Sequence, residues 1–271
     1  FAPQDRQPDP PESSDITFQS VDIGYKQGAA GEADVLLSVQ DRKPWNVYTT
    51  YENMGTRALG KNQFAAGAAW AFPNDRDQIM SYQYRADSHF NKLESHILGY
   101  QYFTPSRHYL TLTGYYSDTS AALDDLFPGL LQKGETWLGS IRYGVPLSQS
   151  PSYKPELQFG FDFKKTDSNL MYGGKNVFAL PTETLQFVAS YRAKTQDKYG
   201  MGAYNIDAVW SPGDLTNYNE DRDFSRSGRP NSTADYIYFR GGWERNTPLP
   251  WGLNWIAQVT AQYSGQKLPP A

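Results

Sequence analysis

From Trp45 to the end, the chain is built of long runs that alternate polar and apolar residues. The clearest run is "LQFGFDFK", residues 157–164: Leu157, Phe159, Phe161 and Phe163 point one way, Gln158, Gly160, Asp162 and Lys164 the other. A period of two is the signature of a β-strand with chemically distinct faces. About eleven such runs follow one another, each about nine to eleven residues long. Strands of soluble proteins average about five or six residues, whereas a tilted strand needs about nine to eleven to cross a bilayer. The open question is which face meets water. A soluble sandwich would hide the phenylalanines, and a membrane barrel would turn them to lipid.

Composition bears on that choice. Hydrophobic residues make up 39% of the 271 residues, yet 15% are aromatic, with 20 Tyr, 14 Phe and 7 Trp. Mean hydropathy is −0.67. Low hydropathy with many rings fits a barrel whose strands are half polar and whose interfaces carry aromatic girdles. By composition alone, a Tyr-rich soluble β-protein such as a carbohydrate-binding sandwich fits as well. Cysteine is absent, which excludes disulfides, thiol catalysis and thiolate metal sites. A net charge of −4 gives no basic footprint for nucleic acid. No apolar run is long enough for a membrane helix, and the first residues, "FAPQDRQPDPPESS", carry no signal-peptide pattern.

The faces agree from run to run. Leu98, Tyr100 and Tyr102 alternate with Gly99 and Gln101; Leu185, Phe187, Ala189 and Tyr191 alternate with Gln186, Ser190 and Arg192. Aromatics gather near run ends, as at Trp45, Trp70, Phe72, Tyr102, Phe103, Trp210, Trp243 and Trp251, the pattern of two interfacial girdles. Connectors are of two kinds. "PNDRD", "TPSRH" and "TPLPWG" are tight, whereas 118–135, 166–183 and 211–235 read as long loops. Sorted connectors, with short turns on one side and long loops on the other, favour the barrel. The apolar faces are therefore expected to meet lipid. The opposite faces would line a wet lumen, with Gln83, Arg85, Gln101, Arg142, Asp162, Lys164 and Arg192 as candidate lumen-lining residues.

Before Trp45 the pattern differs. The first 15 residues are polar and Pro-rich and read as a linker. Then "TFQSVDIGYK" and "ADVLLSVQDR", joined by "QGAAGE", read as a hairpin of a separate small domain.

The stretch 34–64 resembles the passage from the last POTRA domain into the barrel of two-partner secretion transporters of the haemolysin secretion/activation type (TpsB). These transporters belong to the POTRA-plus-barrel outer-membrane superfamily. The matching positions are Asp41, Arg42 and Pro44 at the end of the POTRA strand, then Asn53, Gly55 and Thr56 after the first barrel strand. The preceding hairpin resembles the close of that POTRA domain, and 81–117 resembles the next barrel strands. The resemblance implies an all-β fold: a transmembrane antiparallel β-barrel of 16 strands, about eleven of them here, over 45–271, preceded by a terminal POTRA hairpin within 1–44. It implies a transporter in the bacterial outer membrane that passes a large secreted exoprotein, recognised through its N-terminal secretion signal, to the cell surface. The POTRA part would lie in the periplasm and outer-membrane lipid would surround the barrel. The family's Val-Arg-Gly-Tyr loop motif, its first POTRA domain and its plug helix have no counterpart in these residues. An odd strand count also does not close a single-chain barrel, so the sequence reads as a piece of a longer protein.

No catalytic, cofactor or metal site is expected. His89, His96 and His108 fall at or near expected loops and read as solvated. The pairs Asp124–Asp125 and Glu220–Asp221 lack calcium-loop spacing, and no His-Glu-x-x-His, Walker or Gly-x-Ser-x-Gly pattern occurs. Three other readings stay open: an assembly factor of the same superfamily that inserts barrels, a passive porin-like channel, and a soluble carbohydrate-binding β-protein.

Overall fold

A computed structural model describes residues 19–27, 33–41, 43–72, 78–123, 128–227 and 229–269. The Pro-rich start, the hairpin connection 28–32, the turn 73–77 and the pair Asp124–Asp125 lie outside the described residues. Strands β1 (Gln19–Gln27) and β2 (Ala33–Asp41) pair antiparallel as a two-stranded sheet. The rest is one sheet of 11 strands in which every strand pairs antiparallel with its neighbour in sequence. In order these are β3 (Trp45–Glu52), β4 (Gln63–Phe72), β5 (Gln78–Asp87), β6 (Leu93–Phe103), β7 (Tyr109–Ala122) and β8 (Leu130–Pro146). They continue as β9 (Tyr153–Tyr172), β10 (Lys175–Asp197), β11 (Gly200–Pro212), β12 (Asp235–Pro248) and β13 (Asn254–Ser264). The outermost strands of the sheet are β3 and β13.

Several strands are longer than the sequence pattern predicts, most of all β8 with 17 residues, β9 with 20 and β10 with 23. At about 3.3 Å per residue, β10 would reach about 75 Å, far more than the hydrocarbon slab of about 30 Å. Stretches read above as the long loops 118–135 and 166–183 are mostly strand. Tyr172 pairs with Lys175 across a two-residue turn, in which Gly173 and Gly174 adopt φ of 57° and 79°. Two successive positive φ values define the hairpin turn whose twist suits antiparallel strands, and glycine adopts them without strain. Asp-Ser-Asn and Pro read as loop because their usual place is a turn, but the long ladder with β8 and β9 overrides that preference. Pro181 fits inside β10 because its nitrogen points the same way as that of Glu183, whose N–H is donated away from β9 to the Tyr218 carbonyl (2.8 Å). No strand lies on that edge to need a hydrogen bond from residue 181.

One face of the sheet is apolar, and none of the described residues forms a second layer on it. Among the described residues the buried hydrophobic ones are Ala86, Ala193, Val209, Phe224, Ala234 and Tyr236, too few for the core of a soluble domain of this size. Large apolar side chains are instead exposed along this face, as at Trp70 (52%), Ile141 (49%), Phe159 (51%) and Ile206 (57%). Left in water, so extended a patch would drive association. No helix of the described residues is long and apolar enough to cross a membrane. The strands themselves supply the apolar slab.

Its limits are visible in the register. On β10 the apolar positions run from Leu185 to Ala193, between the Lys165–Glu183 ion pair (3.3 Å) and the Asp197–Arg245 pair (2.7 Å). Toward the longer loops, a row of rings crosses four strands: Tyr84, His96, Tyr116 and Trp137, with centroid separations of 5.0, 5.9 and 4.4 Å. The next row pairs Glu94 with Asp118, Asp118 with Glu135 and Glu135 with Asp167. Carboxylates directly opposite one another are tolerable only where water solvates them, so this row marks where the face leaves the slab. His96 is thus not a loop residue. It sits within β6, and its Nδ1 lies 2.7 Å from the Tyr82 hydroxyl. Of the aromatics assigned above to interfacial girdles, Phe103 falls on the opposite, polar face, and Trp251 lies in the turn Pro250–Gly252.

Turn chemistry fixes the ends. Asp87, fully buried, accepts backbone N–H bonds from His89 (3.0 Å), Asn91 (2.9 Å), Lys92 (2.9 Å) and Leu93 (3.2 Å), which closes the β5–β6 connection. The 213–234 connection carries the helix α1 (Asp221–Ser227). Within it Phe224, Ala234 and Asn219 are buried, and Asn219 donates to the Glu183 carbonyl (2.7 Å).

On the polar face, glycines let long side chains lie flat. Tyr48 of β3 crosses Gly67 of β4 to donate to Gln83 of β5 (2.7 Å), and Tyr109 of β7 crosses Gly144 of β8 to donate to Glu156 of β9 (3.0 Å). A Cβ on either glycine would collide with the tyrosine ring. Each tyrosine therefore ties three strands together without standing up from the face.

Two outcomes follow. Gly144→Val should expel the Tyr109 ring, cost about 2 kcal/mol, and lower the temperature at which the folded band is lost in heat-modified electrophoresis, with Gly139→Val, which has open space around it, as the control. Asp87→Ala should strip four N–H groups of their acceptor, and amide exchange at Asn91 and Lys92 should accelerate about tenfold or more relative to strand amides.

Candidate functional site: the polar face of the sheet

The strand register places all seven sequence-predicted positions on one face. Arg85 lies opposite Ala65 and Ser95, Gln83 opposite Gly67 and Ile97, Gln101 opposite Ile79 and Thr111. Arg142 lies opposite Thr111 and Gly160, Asp162 opposite Ser140 and Gln186, Lys164 opposite Leu138 and Thr184, and Arg192 opposite Glu156 and Asn205. A single concavity of about 770 Å³ is touched by Gln101, Thr111, Arg142, Gln158, Arg192 and Asn205, one residue from each of six successive strands.

The charges on this face are largely matched within it. Arg142 pairs with Asp162 across β8 and β9 at 2.6 Å and also donates to the Phe161 carbonyl (3.3 Å). Its aliphatic stem lies over Gly160, where a Cβ would clash. Arg240 donates through Nε (3.2 Å) and Nη2 (3.1 Å) to Asp207, whose other oxygen accepts from Ser190 (2.7 Å). Arg85 pairs with Glu52, and Gln186 donates to the Tyr236 hydroxyl (2.7 Å). Arginine suits such places because its planar fork meets a carboxylate with defined geometry. Of the seven, Gln83, Arg85, Arg142 and Asp162 are tied into bonds, whereas Arg192 is exposed and Gln101 lines the concavity.

Several residues of the same face were not singled out by pattern: Glu52, Tyr109, Glu156, Gln158, Asp207 and Arg240. All occupy the polar parity of their runs, so the alternation could have found them. What it could not supply is which charges face each other, because that depends on cross-strand register. Among the described residues, no group of three or more His, Cys, Asp or Glu side chains is placed to hold a metal ion. Asp221 of the acidic pair Glu220–Asp221 instead accepts the Ala234 backbone N–H (2.7 Å). The chemistry this surface offers is largely solvation: hydrogen-bond donors, acceptors and paired charges laid flat along a trough, interspersed with apolar residues such as Ile79, Ile97 and Leu138.

Comparison with known proteins agrees with this architecture. The structure matches CdiB from Escherichia coli with a TM-score of 0.72 at 15% identity, over 92% of this chain and 46% of that one. It matches CdiB from Acinetobacter baumannii with a TM-score of 0.60 at 12% identity, over 93% of this chain and 45% of that one. The chain thus spans under half the length of each. At these identities the likeness speaks for the fold, a transmembrane antiparallel β-barrel wall. No curated protein sequence matches the chain. The haemolysin secretion/activation protein ShlB/FhaC/HecB family matches residues 31–271. With an unbroken antiparallel meander, an uncovered apolar face and that match across most of its length, the chain belongs to the haemolysin secretion/activation protein family, whose members are outer-membrane β-barrel proteins of protein secretion.

Proposed function

We propose that this chain forms wall of an outer-membrane conduit that carries a secreted partner exoprotein from periplasm to cell surface. The observation that supports it best is the division of one sheet into two solvents: an apolar face with none of the described residues packed over it, and a polar face whose charges are largely paired. A conduit for an unfolded polypeptide needs that second face. Backbone and side-chain polar groups of the passenger must find partners at every step, and no apolar patch may hold it back. Gln83, Arg85, Gln101, Arg142, Asp162, Lys164 and Arg192 are the lumen-lining residues of this reading.

Residues 1–44 then belong to a periplasmic POTRA domain closed by the β1–β2 hairpin, and 45–271 to the barrel. The tight β6–β7, β8–β9, β10–β11 and β12–β13 turns face the periplasm. The β9–β10 hairpin and the α1 connection face the exterior. The passenger's N-terminal secretion signal would engage the periplasmic domain through an exposed strand edge, by strand addition.

Deleting the gene in the source bacterium should trap the exoprotein in the periplasm and leave the bulk outer-membrane proteins at their usual level. A general loss of those proteins would instead identify an assembly factor. Spin labels offer an independent reading on the natural full-length protein: position 159 should be accessible to oxygen in the bilayer, and positions 162 and 164 to a water-soluble relaxer. Recovery of the protein from the aqueous fraction without detergent would overturn the membrane reading altogether.

A further inference from the structure

On the apolar face two glycines lie directly opposite one another, Gly114 of β7 and Gly139 of β8. Glycine inside a strand weakens it, because it gives up more backbone freedom than other residues and packs nothing. Neither residue holds a positive φ. Neither is crowded: a Cβ on Gly114 would meet only the Leu98 Cβ, at 3.8 Å, and one on Gly139 would meet nothing within 4 Å. No side chain lies across them, as tyrosines and an arginine do across Gly67, Gly144 and Gly160 on the polar face.

What the pair creates is space. An apolar hollow of about 390 Å³ opens over it, walled by Leu98, Leu112, Ile141, Phe161 and Phe163. The register fixes its depth. Leu98, Gly114 and Gly139 share a rung of the ladder, and each lies two residues from the ring row at His96, Tyr116 and Trp137, a step of about 7 Å. Trp137 donates its indole N–H to Glu135 of the carboxylate row (2.7 Å). The rings therefore stand at the border of the slab, where Trp and Tyr belong, and the hollow lies just inside it. Leu98 and Phe163 flank the glycines on their own rung, and Leu112 and Ile141 stand on the next. A second flat sheet could not reach past these walls to the floor, whereas a methylene chain one carbon wide could.

We infer that the Gly114–Gly139 hollow holds one acyl chain of a membrane lipid from the leaflet on the long-loop side. Inside hydrocarbon there is no hydrophobic gain in choosing one apolar neighbour over another, so preference comes from close van der Waals contact, which small residues permit. A chain in the hollow touches backbone beneath and side chains on both flanks, whereas an even stretch of the face offers contact from beneath alone. The inference rests on the membrane reading of this face and not on export.

The test uses the natural full-length protein in bilayers that contain a phospholipid with a photoreactive diazirine on one chain, placed either near the headgroup or at the methyl end. After illumination, peptide mapping should find the near-head probe on Leu98, Leu112 or Ile141 about tenfold more often than on Phe159 or Ile206 of the same face. The double variant Gly114→Leu, Gly139→Leu should lower that labelling about tenfold and leave Ile206 unchanged. Gly139→Val, a smaller filling into open space, should act in the same direction. A folded band in heat-modified electrophoresis establishes that each variant folds. Even labelling along the face, labelling of the hollow by the methyl-end probe alone, or filled variants that label like the parent would overturn the inference. So would complete disulfide linking of a Gly139→Cys variant between copies, which would put a second copy over the hollow. If gene deletion leaves export intact while the hollow is labelled as expected, the transport reading fails and this site stands. If export depends on the gene but labelling is even, the lipid inference fails alone.

Discussion

A single antiparallel ladder of backbone hydrogen bonds carries the rest of this structure. Each of the eleven strands pairs with its sequence neighbour, so nearly every backbone N–H and C=O within the sheet interior is satisfied inside the layer. That self-sufficiency is what allows one face to stand in hydrocarbon. It also frees the opposite face from having to form a core, since stability comes from the ladder and from the apolar face leaving water, not from a second protein layer. A soluble sandwich with the same strands would need a partner sheet over Phe159, Ile141 and Trp70, and the described residues form none.

Freed from packing a core, the polar face solves a different problem: keeping long side chains low. Gly67 and Gly144 sit where tyrosines cross, and Gly160 where Arg142 lies down. Each crossing links a strand to its second neighbour, as Tyr109 does in reaching Glu156. The result is a trough lined by hydroxyls, amides and paired charges. The Arg240–Asp207–Ser190 and Arg142–Asp162 sets neutralise one another across strands, so most of the trough has no strong preference for either sign.

Outside the slab the ladder continues. The β9–β10 hairpin runs on past the carboxylate row to the Gly173–Gly174 turn, and the α1 connection docks on the β10 edge through Asn219 and Tyr218. Such extensions need no apolar face, because water solvates both sides. Their alternation is therefore weak, and turn-forming residues such as Asp167, Ser168 and Pro181 occur within strands.

The alternation alone therefore determined a good deal: an all-β chain, about eleven long strands, and which residue of each neighbouring pair shares a face with Asp162 or with Phe161. Its runs coincide with the lipid-facing stretches. The run 184–193 covers the Leu185–Ala193 band even though β10 is 23 residues long. Periodicity reports where two solvents differ and is blind where both faces are wet, so true strand ends escaped it. Only the tertiary structure decided register, and register decided the partners: Arg142 with Asp162, Tyr109 across Gly144, His96 among rings, Lys154 against Lys194. The physical reason is that a period of two records a side but carries no information on how far one strand slides along the next, and that displacement is set by turn geometry and by the side chains that meet across it.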